Sequence, residues 1–259
     1  MYSWSKTDDI KHKKKWAFFR FYEELNDFLP VAERKKEQKY YFWGSPSVKD
    51  AIEAIGIPHS EIEIILVNSV SVGFDYRLQA GDRISVYPVF ESIDVTPLIR
   101  LKPSPMRSIR FIVDGNLAKL ARWLRLLGFD TFCEVKIGKS EFVKKAMTEK
   151  RIILTTDRNL LKRKEVTHGY FVREKQKHLQ IREILVRFDL HMQVKPFSRC
   201  MSCNGLLKNV ARHSVENLIP EKVYTSYDEF KQCPDCEKVY WKGSHYDKMR
   251  KEIIHDIGR

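Results

Sequence analysis

Two pairs of cysteines near the C-terminal end place the strongest constraint on the fold. Cys200 and Cys203 form one CxxC motif and Cys233 and Cys236 form another, with 29 residues between them. Each motif sets two thiolates at a tight turn, so two motifs can close a tetrahedral site around one Zn²⁺. The alternatives are two disulfides or four unrelated thiols, but a paired CxxC pattern without a signal peptide favours zinc. The sequence therefore predicts a zinc ribbon.

The chain shows no signal for export or membrane insertion. The first 15 residues are polar and basic, and no apolar run approaches the roughly 20 residues that a membrane-spanning helix needs. Hydrophobic residues make up 43% of the chain, which is enough for packed cores. We expect a cytoplasmic protein without a membrane partner.

The positive charge is confined to one part of the chain. Residues 1–97 carry 13 Lys and Arg against 15 Asp and Glu, whereas residues 98–259 carry 34 against 19. Generic solubility does not explain this asymmetry, whereas a polyanion does, because each cation placed near a phosphate releases counterions. The charge distribution favours a nucleic acid partner for the C-terminal two thirds.

The N-terminal part has the pattern of an α+β ubiquitin-like β-grasp domain, predicted over residues 1–94. A helix is expected to begin near Ser47 and end at Gly56, where capping and turn residues stand. The predicted strands are 16–22, 40–43, 62–67, 70–73 and 83–88. The pattern around residues 66–68 and 81–84 is similar to that of small sulfur carriers, which act through a free C-terminal Gly-Gly. Because another domain follows here, sulfur transfer is disfavoured, and a module that docks a protein partner is expected.

A proline-rich linker is predicted over residues 95–108, and the pattern changes after it. Short apolar runs alternate with amphipathic segments, which indicates a parallel three-layer α/β sheet over residues 109–192. Its strands are predicted at 111–113, 151–156 and 169–172. Its helices are predicted at 117–127, 141–150, 157–164 and 178–188. The zinc ribbon and a basic C-terminal helix fill residues 193–259.

Two carboxylates follow strands of the predicted parallel sheet. Asp114 ends the first strand and Asp157 follows the second, and open parallel sheets bind ligands beyond the carboxyl ends of their strands. Carboxylate oxygens are the ligands that Mg²⁺ and Mn²⁺ prefer. The alternative is that each Asp only caps the next helix, which is as reasonable for Asp157 as a metal site. The pair together predicts a catalytic Mg²⁺ or Mn²⁺ site.

Basic residues accompany these carboxylates. Lys119, Arg122 and Arg125 stand three apart on the predicted solvent face of the first helix, and Arg158 follows Asp157. Such a face is often only a solvated surface. Its coincidence with the carboxylates predicts that these four residues bind an RNA backbone.

Three motifs resemble a known family. Residues 114–125 (DGNLAKLARWLR) resemble the opening motif of the PIN-like ribonuclease family named for the C-terminal domain of the mutator-seven exonuclease, and residues 153–158 (ILTTDR) resemble its second motif. The family's ribbon motif is matched by three further segments of this chain, residues 199–207 (RCMSCNGLL), 230–236 (FKQCPDC) and 239–245 (VYWKGSH). The resemblance covers residues 109–249 and implies a metal-dependent ribonuclease behind a ubiquitin-like domain. Trp241 and His245 match the family's ribbon motif and are candidate RNA contacts: Trp241 either stacks on a base or covers the zinc site, and His245 either contacts phosphate or packs on the metal domain.

One segment departs from the family pattern. Family members carry an acidic stretch between the first two helices, whereas here that stretch includes Lys136 and Lys139. Glu141 and Glu174 are the residues predicted to complete the catalytic site. The leading hypothesis is therefore a metal-dependent endoribonuclease. The alternative is a catalytically inactive adaptor that binds ribosomal or transfer RNA and docks a protein through its β-grasp domain.

Overall fold

The structure is a computed structural model that describes residues 14–88 and 109–243. The predicted linker 95–108 and the predicted basic C-terminal helix lie outside these ranges. The described residues form two compact units. The N-terminal unit comprises residues 14–88 and 157–170, and the C-terminal unit comprises residues 109–156 and 171–243. None of the helices within the described ranges combines the length and apolar character needed to cross a membrane.

The N-terminal unit contains a mixed five-stranded sheet and one main helix. Its strands are β1 (Lys15–Phe21), β2 (Gln38–Phe42), β3 (Ile62–Val67), β4 (Val70–Val72) and β5 (Arg83–Pro88). They lie in the order β2-β1-β5-β3-β4, with β1 and β5 parallel and the other neighbours antiparallel. Helix α1 spans Val48–Ile55. This is the predicted ubiquitin-like β-grasp fold.

Local chemistry sets the ends of α1 and the face of β1. The Ser47 hydroxyl accepts a hydrogen bond from the Asp50 amide at 3.1 Å, and Gly56 closes the helix with a φ of 126°. In β1 the side chains of Ala17, Phe19 and Phe21 are buried, and the residues between them point away from the core. This alternation is what one buried sheet face requires.

The C-terminal unit is built on a four-stranded sheet in the order β7-β6-β8-β9. Its strands are β6 (Arg110–Val113), β7 (Asp130–Phe132), β8 (Ile152–Thr155) and β9 (Gly169–Phe171), and the β6–β7 and β6–β8 pairs are parallel. The helices of this unit are α2 (Ala118–Leu126), α3 (Lys139–Thr148) and α5 (Lys177–Arg187), whereas α4 (Arg158–Leu161) and the first two residues of β9 belong to the N-terminal unit. The predicted α/β class is confirmed.

The sequence did not predict β7. The strand has three residues and is defined by its parallel pairing with β6, where Arg110 lies opposite Asp130. The helix predicted at 157–164 is also shorter than expected, ending at Leu161.

The ribbon is a small antiparallel sheet with one short helix. Strands β10 (Lys208–Val210), β11 (Phe230–Gln232) and β12 (Val239–Trp241) pair in that order, and α6 spans Glu221–Ser226. Gly128, with a φ of 97° after α2, lets the chain leading to the ribbon pass closely. A Cβ at Gly128 would lie 2.4 Å from the carbonyl oxygen of Lys195. Any side chain there would displace this segment.

Candidate functional site

Asp114 stands at the carboxyl end of β6 with both carboxylate oxygens engaged. Oδ1 accepts the amide of Asn116 at 3.1 Å, and Oδ2 accepts the hydroxyl of Thr155 at 2.8 Å. Thr155 is fully buried at the end of the neighbouring strand β8. A carboxylate has about four acceptor positions, so these two bonds orient the group and leave lone pairs for a cation. The sequence analysis missed Thr155, although it stands inside the second family motif.

Asp157 performs the capping role that the sequence analysis kept as an alternative. Its Oδ1 accepts the amides of Asn159 at 2.9 Å and Leu160 at 3.4 Å, so it caps α4. The residue is half-buried. A carboxylate has about four acceptor positions, so a capping Asp157 can also bind a metal ion, and its catalytic role stays a prediction.

The helix that Asp157 caps folds as part of the N-terminal unit. Arg158 donates from Nη1 to the carbonyl of Phe28 at 3.0 Å and from Nη2 to the carbonyl of Asp27 at 3.2 Å. Its guanidinium also lies 5.0 Å from the centre of the Phe28 ring. Lys162 donates to the carbonyl of Glu53 at 2.7 Å. The Arg158 donors that were predicted to meet RNA therefore have backbone acceptors.

His59 holds the other end of this segment. Its Nε2 lies 2.9 Å from the carbonyl oxygen of Val166, and its Nδ1 lies 2.6 Å from Oε1 of Glu53. Burial and the charge of Lys49 lower the pKa of His59, against the opposing effect of Glu53 and the Val166 carbonyl. Ser60, also buried, donates to the carbonyl of Leu161 at 3.4 Å. Segment 157–170 is thus fixed by side chains from the β-grasp part of the chain.

Glu141 and Glu174 are exposed. Glu141 lies in the first turn of α3, and Glu174 follows β9. The carboxylate of Glu183, which the sequence analysis did not select, accepts the amides of Arg173 at 2.9 Å and Glu174 at 3.1 Å. Glu183 thereby fixes the backbone that carries Glu174. Its signal in the sequence was a lone acid on α5, which nothing distinguished from a solvated position.

The predicted acidic ligands of the C-terminal unit do not lie close enough together to form a metal-binding group. Within residues 14–88 and 109–243, the four cysteines are the group of three or more ligand-type side chains close enough to hold an ion. Asp114, Glu141 and Glu174 form no such group. The loop with Lys136 runs beside the Asp114 turn, because a Cβ at Gly115 would lie 3.1 Å from the Cα of Val135.

The predicted basic face of α2 is only partly exposed. Lys119 and Arg122 are exposed, as expected. Arg125 is 6% exposed, so its predicted position on the solvent face is wrong. At about 100° per residue, two successive three-residue steps carry Arg125 about 120° around the helix axis from Lys119. On that side its guanidinium donates to ribbon carbonyls.

Arg125 joins the parallel sheet to the first cysteine motif. Its Nε donates to the carbonyl of Thr131 at 2.8 Å. Its Nη1 donates to the carbonyls of Met201 at 3.1 Å and Ser202 at 2.8 Å. A planar guanidinium suits this role, because its fixed donors reach several carbonyls at once. Burial lowers the pKa of Arg125, against the raising effect of nearby cysteines and Asp130.

Asp130 forms a second link to the same motif. Its Oδ1 accepts Nη1 of Arg151 at 2.6 Å and Nδ2 of Asn204 at 2.8 Å. Asn204 in turn accepts the amide of Thr131 at 2.9 Å. Burial would raise the pKa of Asp130, but the hydrogen bonds from Arg151 and Asn204 outweigh it and lower the pKa.

The four cysteines cluster as predicted, in an arrangement that suits a metal ion. They are free thiols whose sulfur atoms all lie within 4.8 Å of one another. The closest pairs are Cys200–Cys236 at 3.5 Å and Cys203–Cys233 at 3.3 Å. A tetrahedral Zn²⁺ with Zn–S bonds of about 2.3 Å sets its sulfurs roughly 3.8 Å apart, so this set fits a structural zinc ion.

The surroundings of Cys200 favour its thiolate. The sulfur lies 3.1 Å from the hydroxyl of Tyr240. Burial would raise the pKa of Cys200, but hydrogen bonds from Tyr240 and from the Cys203 and Ser202 amides lower it to about 6. Because zinc binds thiolates, this environment suits a metal ligand.

A cleft of about 400 Å³ lies beside the ribbon and includes Arg122, Ser202, Lys238 and Tyr240. Exposed Arg122 and the ribbon residue Lys238 place positive charge on its walls, with Glu237 as an acidic neighbour. Trp241, half-buried, ends β12. His245 lies outside the described residues.

Comparisons with known proteins agree with these features. The family model of the Mut7-C RNAse domain matches residues 109–253, and that of Mut7-C ubiquitin matches residues 14–94. A search of the curated proteins found no match. Because the first match covers more than half of the chain, the protein belongs to the Mut7-C RNAse domain family and carries a Mut7-C ubiquitin domain ahead of it.

Proposed function

We propose that this protein is a metal-dependent endoribonuclease. The family implies a nuclease-type function, and the observation that best supports the finer proposal is the orientation of Asp114. Its carboxylate stands at the carboxyl end of a central parallel strand, where the buried hydroxyl of Thr155 donates to it. Ligand-binding residues of parallel sheets gather at such ends.

In this proposal Asp114 and Asp157 are ligands of Mg²⁺ or Mn²⁺, completed by Glu141 or Glu174. Carboxylate oxygens suit these hard ions. When bound, such an ion makes water a stronger nucleophile and neutralises charge that develops on a phosphodiester. Thr155 would position Asp114, and Glu183 would position the backbone of Glu174, as partners behind metal ligands do.

Lys119 and Arg122 are the proposed phosphate contacts on α2, since both are exposed. The cleft with Arg122, Lys238 and Tyr240 would hold RNA on the ribbon side, and Trp241 and His245 are further proposed contacts. Arg125 is removed from this set because it is buried and donates to the carbonyls of Thr131, Met201 and Ser202. Arg158 is assigned a packing role for the same reason.

The proposal is tested by cleavage of structured and single-stranded RNAs in Mg²⁺ and in Mn²⁺. Asp114→Asn and Asp157→Asn are each expected to lower the cleavage rate by more than about 100-fold while RNA affinity is retained. Thr155→Val is expected to lower it by about 10- to 100-fold, the usual loss for a partner behind a ligand. The control is Asp50→Asn, an exposed acid on α1. Cleavage rates equal to that of the wild type in all four variants would exclude Asp114 and Asp157 as catalytic metal ligands.

A catalytically inactive RNA-binding adaptor is the second candidate. Two observations favour it: the acidic residues of the C-terminal unit do not cluster, and Lys136 lies in the loop beside the Asp114 turn. An adaptor would bind the RNA panel with a steep dependence on salt and cut none of it. In this candidate the β-grasp domain would dock a protein partner.

A further inference from the structure

The outer face of the N-terminal sheet carries an unusual set of side chains. On β1, the residues between the buried positions are Trp16, Phe18 and Arg20. The register sets Trp16 opposite Tyr41 and Phe18 opposite Lys39 on β2, and Phe18 opposite Arg83 on β5. Three neighbouring strands therefore present alternating aromatic and basic side chains on one face.

The aromatic rings of this face are strongly exposed. Trp16 is 38% exposed, Tyr41 is 45% exposed and Trp43, one residue beyond β2, is 60% exposed. The rings of Trp16 and Phe18 are 5.3 Å apart. Exposed apolar surface grouped in this way marks an interaction site more often than chance, whereas scattered single residues do not.

Each of these rings has a cation close to it. Lys14 Nζ lies 4.4 Å from the centre of the Tyr41 ring and 5.5 Å from that of Trp43. Lys39 Nζ lies 4.8 Å from the Trp16 ring and 5.3 Å from the Tyr41 ring. These cation–π contacts stabilise the free surface, at about 0.5–1 kcal/mol each when exposed.

The charge of this face differs from that of its domain. Residues 1–97 contain more acidic than basic residues. Yet Lys14, Lys39 and Arg83 converge on the outer face, where the guanidinium of Arg83 lies 5.8 Å from the Phe18 ring. The carboxylate of Glu37 pairs with Arg83 at 2.6 Å. Cations gathered on one face of a nearly neutral domain indicate an anionic ligand.

We propose that this aromatic–basic face, formed by Lys14, Trp16, Phe18, Lys39, Tyr41, Trp43 and Arg83, binds single-stranded RNA. Bases would stack on the exposed rings, and the lysines would move from the ring faces to phosphates. Single-stranded nucleic acid offers this alternation of flat base and anion, and aromatic rings on a sheet with neighbouring cations are how such strands are bound. A protein-docking patch would instead have an apolar centre depleted of charge.

The proposal depends on RNA as the ligand of the proposed function but not on cleavage, because these residues belong to the unit that lacks Asp114. The test therefore uses the full chain with no added Mg²⁺ or Mn²⁺. A fluorescein-labelled 12-mer of uridine is titrated and followed by anisotropy. The paired substitution Trp16→Ala with Tyr41→Ala is expected to weaken binding by at least about tenfold, since each stacked base contributes about 1–3 kcal/mol.

Two further variants separate stacking from charge. Trp16→Phe with Tyr41→Phe retains flat rings and is expected to bind within about threefold of the wild type. Lys39→Gln with Arg83→Gln is expected to reduce the slope of log affinity against log salt by about 0.7 for each lost phosphate contact. Val31→Ala, an exposed apolar residue of the same unit outside this face, is the matched control. Thermal unfolding by circular dichroism checks that every variant is folded.

Crosslinking locates the site independently of the C-terminal unit. A 12-mer containing 4-thiouridine is irradiated with the full chain, and crosslinked peptides from β1 and β2 are expected by mass spectrometry. Unchanged affinity in the Trp16→Ala, Tyr41→Ala protein together with no crosslinks in these strands would overturn the proposal. Stronger binding of a duplex, or of a deoxythymidine 12-mer, would also overturn it. Cleavage of RNA without such crosslinks would support the proposed nuclease activity and exclude this face as an RNA-binding site.

Discussion

Arg125 is a buried cation whose Nε and Nη1 donate to backbone carbonyls in the C-terminal unit. Two of its three hydrogen bonds reach Met201 and Ser202, the residues between the first pair of cysteines. A buried carbonyl that loses its donor costs about 1–3 kcal/mol. Arg125 therefore connects the stability of the parallel sheet to the geometry of the cysteine cluster.

Replacing Arg125 by Ala is expected to lower the free energy of unfolding by at least about 2 kcal/mol, because it leaves these carbonyls without donors. Arg125→Lys should also lower the free energy of unfolding, since one ammonium group cannot reproduce the fixed donor geometry of a planar guanidinium. Urea denaturation and the rate of zinc release to a chromophoric chelator measure both effects. Arg122→Ala, one turn away and exposed, should change stability by less than about 0.5 kcal/mol. Equal stability of Arg125→Ala and Arg122→Ala would contradict this role.

The lowered pKa of Asp130 predicts how its contribution to stability depends on pH. Its carboxylate is 21% exposed and paired with Arg151, and its pKa is lowered despite burial. A carboxyl with a lowered folded pKa contributes stability above its unfolded pKa of about 3.9, and this contribution is lost as pH falls through the folded pKa. Asp130→Asn should cost about 1–3 kcal/mol, the same at pH 8 and pH 5. Urea denaturation at both pH values checks this, and a difference that shrinks by pH 5 would show that the pKa is raised instead.

At the scale of elements, α4 is a single helical turn that could not persist alone. Isolated helices shorter than about 12–15 residues are marginal in water. Here α4 is held in place by three interactions: the cap at Asp157, the hydrogen bond from the Arg158 guanidinium, and the contact between His59 and Val166. The element that follows the second family motif is therefore held by its own cap, by backbone carbonyls of Asp27 and Phe28, and by the side chain of His59.

His59→Ala is expected to leave the carbonyl of Val166 without its donor and to loosen segment 157–170. Hydrogen exchange measured by mass spectrometry should show faster exchange of the Lys162 and Val166 amides, which donate to Arg158 and Arg163. His213→Ala, an exposed histidine of the ribbon, is the matched control. Unchanged hydrogen exchange in segment 157–170 would mean that the apolar contacts of Leu161 and Val166 are enough to hold it without His59.

At the scale of the whole molecule, the N-terminal unit and the ribbon have different sources of stability. The N-terminal unit has a large apolar core that includes Phe19, Ile52 and Ile65. The ribbon has three strands of three residues each and few buried apolar side chains, among them Val215 and Phe230. Domains with so small a core commonly depend on metal.

Removal of zinc is therefore expected to unfold the ribbon and leave the N-terminal sheet folded. The full chain should contain about one zinc per molecule by elemental analysis, and Cys203→Ser should contain less. After chelation, amides of β10 to β12 should lose protection from hydrogen exchange while those of β1, β3 and β5 keep it. Cys133→Ser, a cysteine outside the cluster, is the control. Protection retained in β10 to β12 after zinc loss would contradict the prediction.

Much of the element order could be read from the sequence because its causes lie within a few residues. Ser47 caps α1 through the amide three residues later, and Gly56 and Gly128 end helices with φ values that other residues rarely adopt. The two CxxC motifs predicted the cysteine cluster for the same reason, since each turn sets its own pair of thiols. The strand ends carrying Asp114 and Asp157 were also evident from short apolar runs.

The tertiary structure decided what depends on residues far apart in the chain. It buried Arg125 against the ribbon, created β7 by pairing with β6, placed Thr155 on Asp114, and put segment 157–170 with the β-grasp strands. It also brought Trp16, Tyr41 and Lys39 onto one face through strand register. Sequence periodicity sets which side of an element is apolar, but only packing against distant segments sets which polar side chain meets which partner.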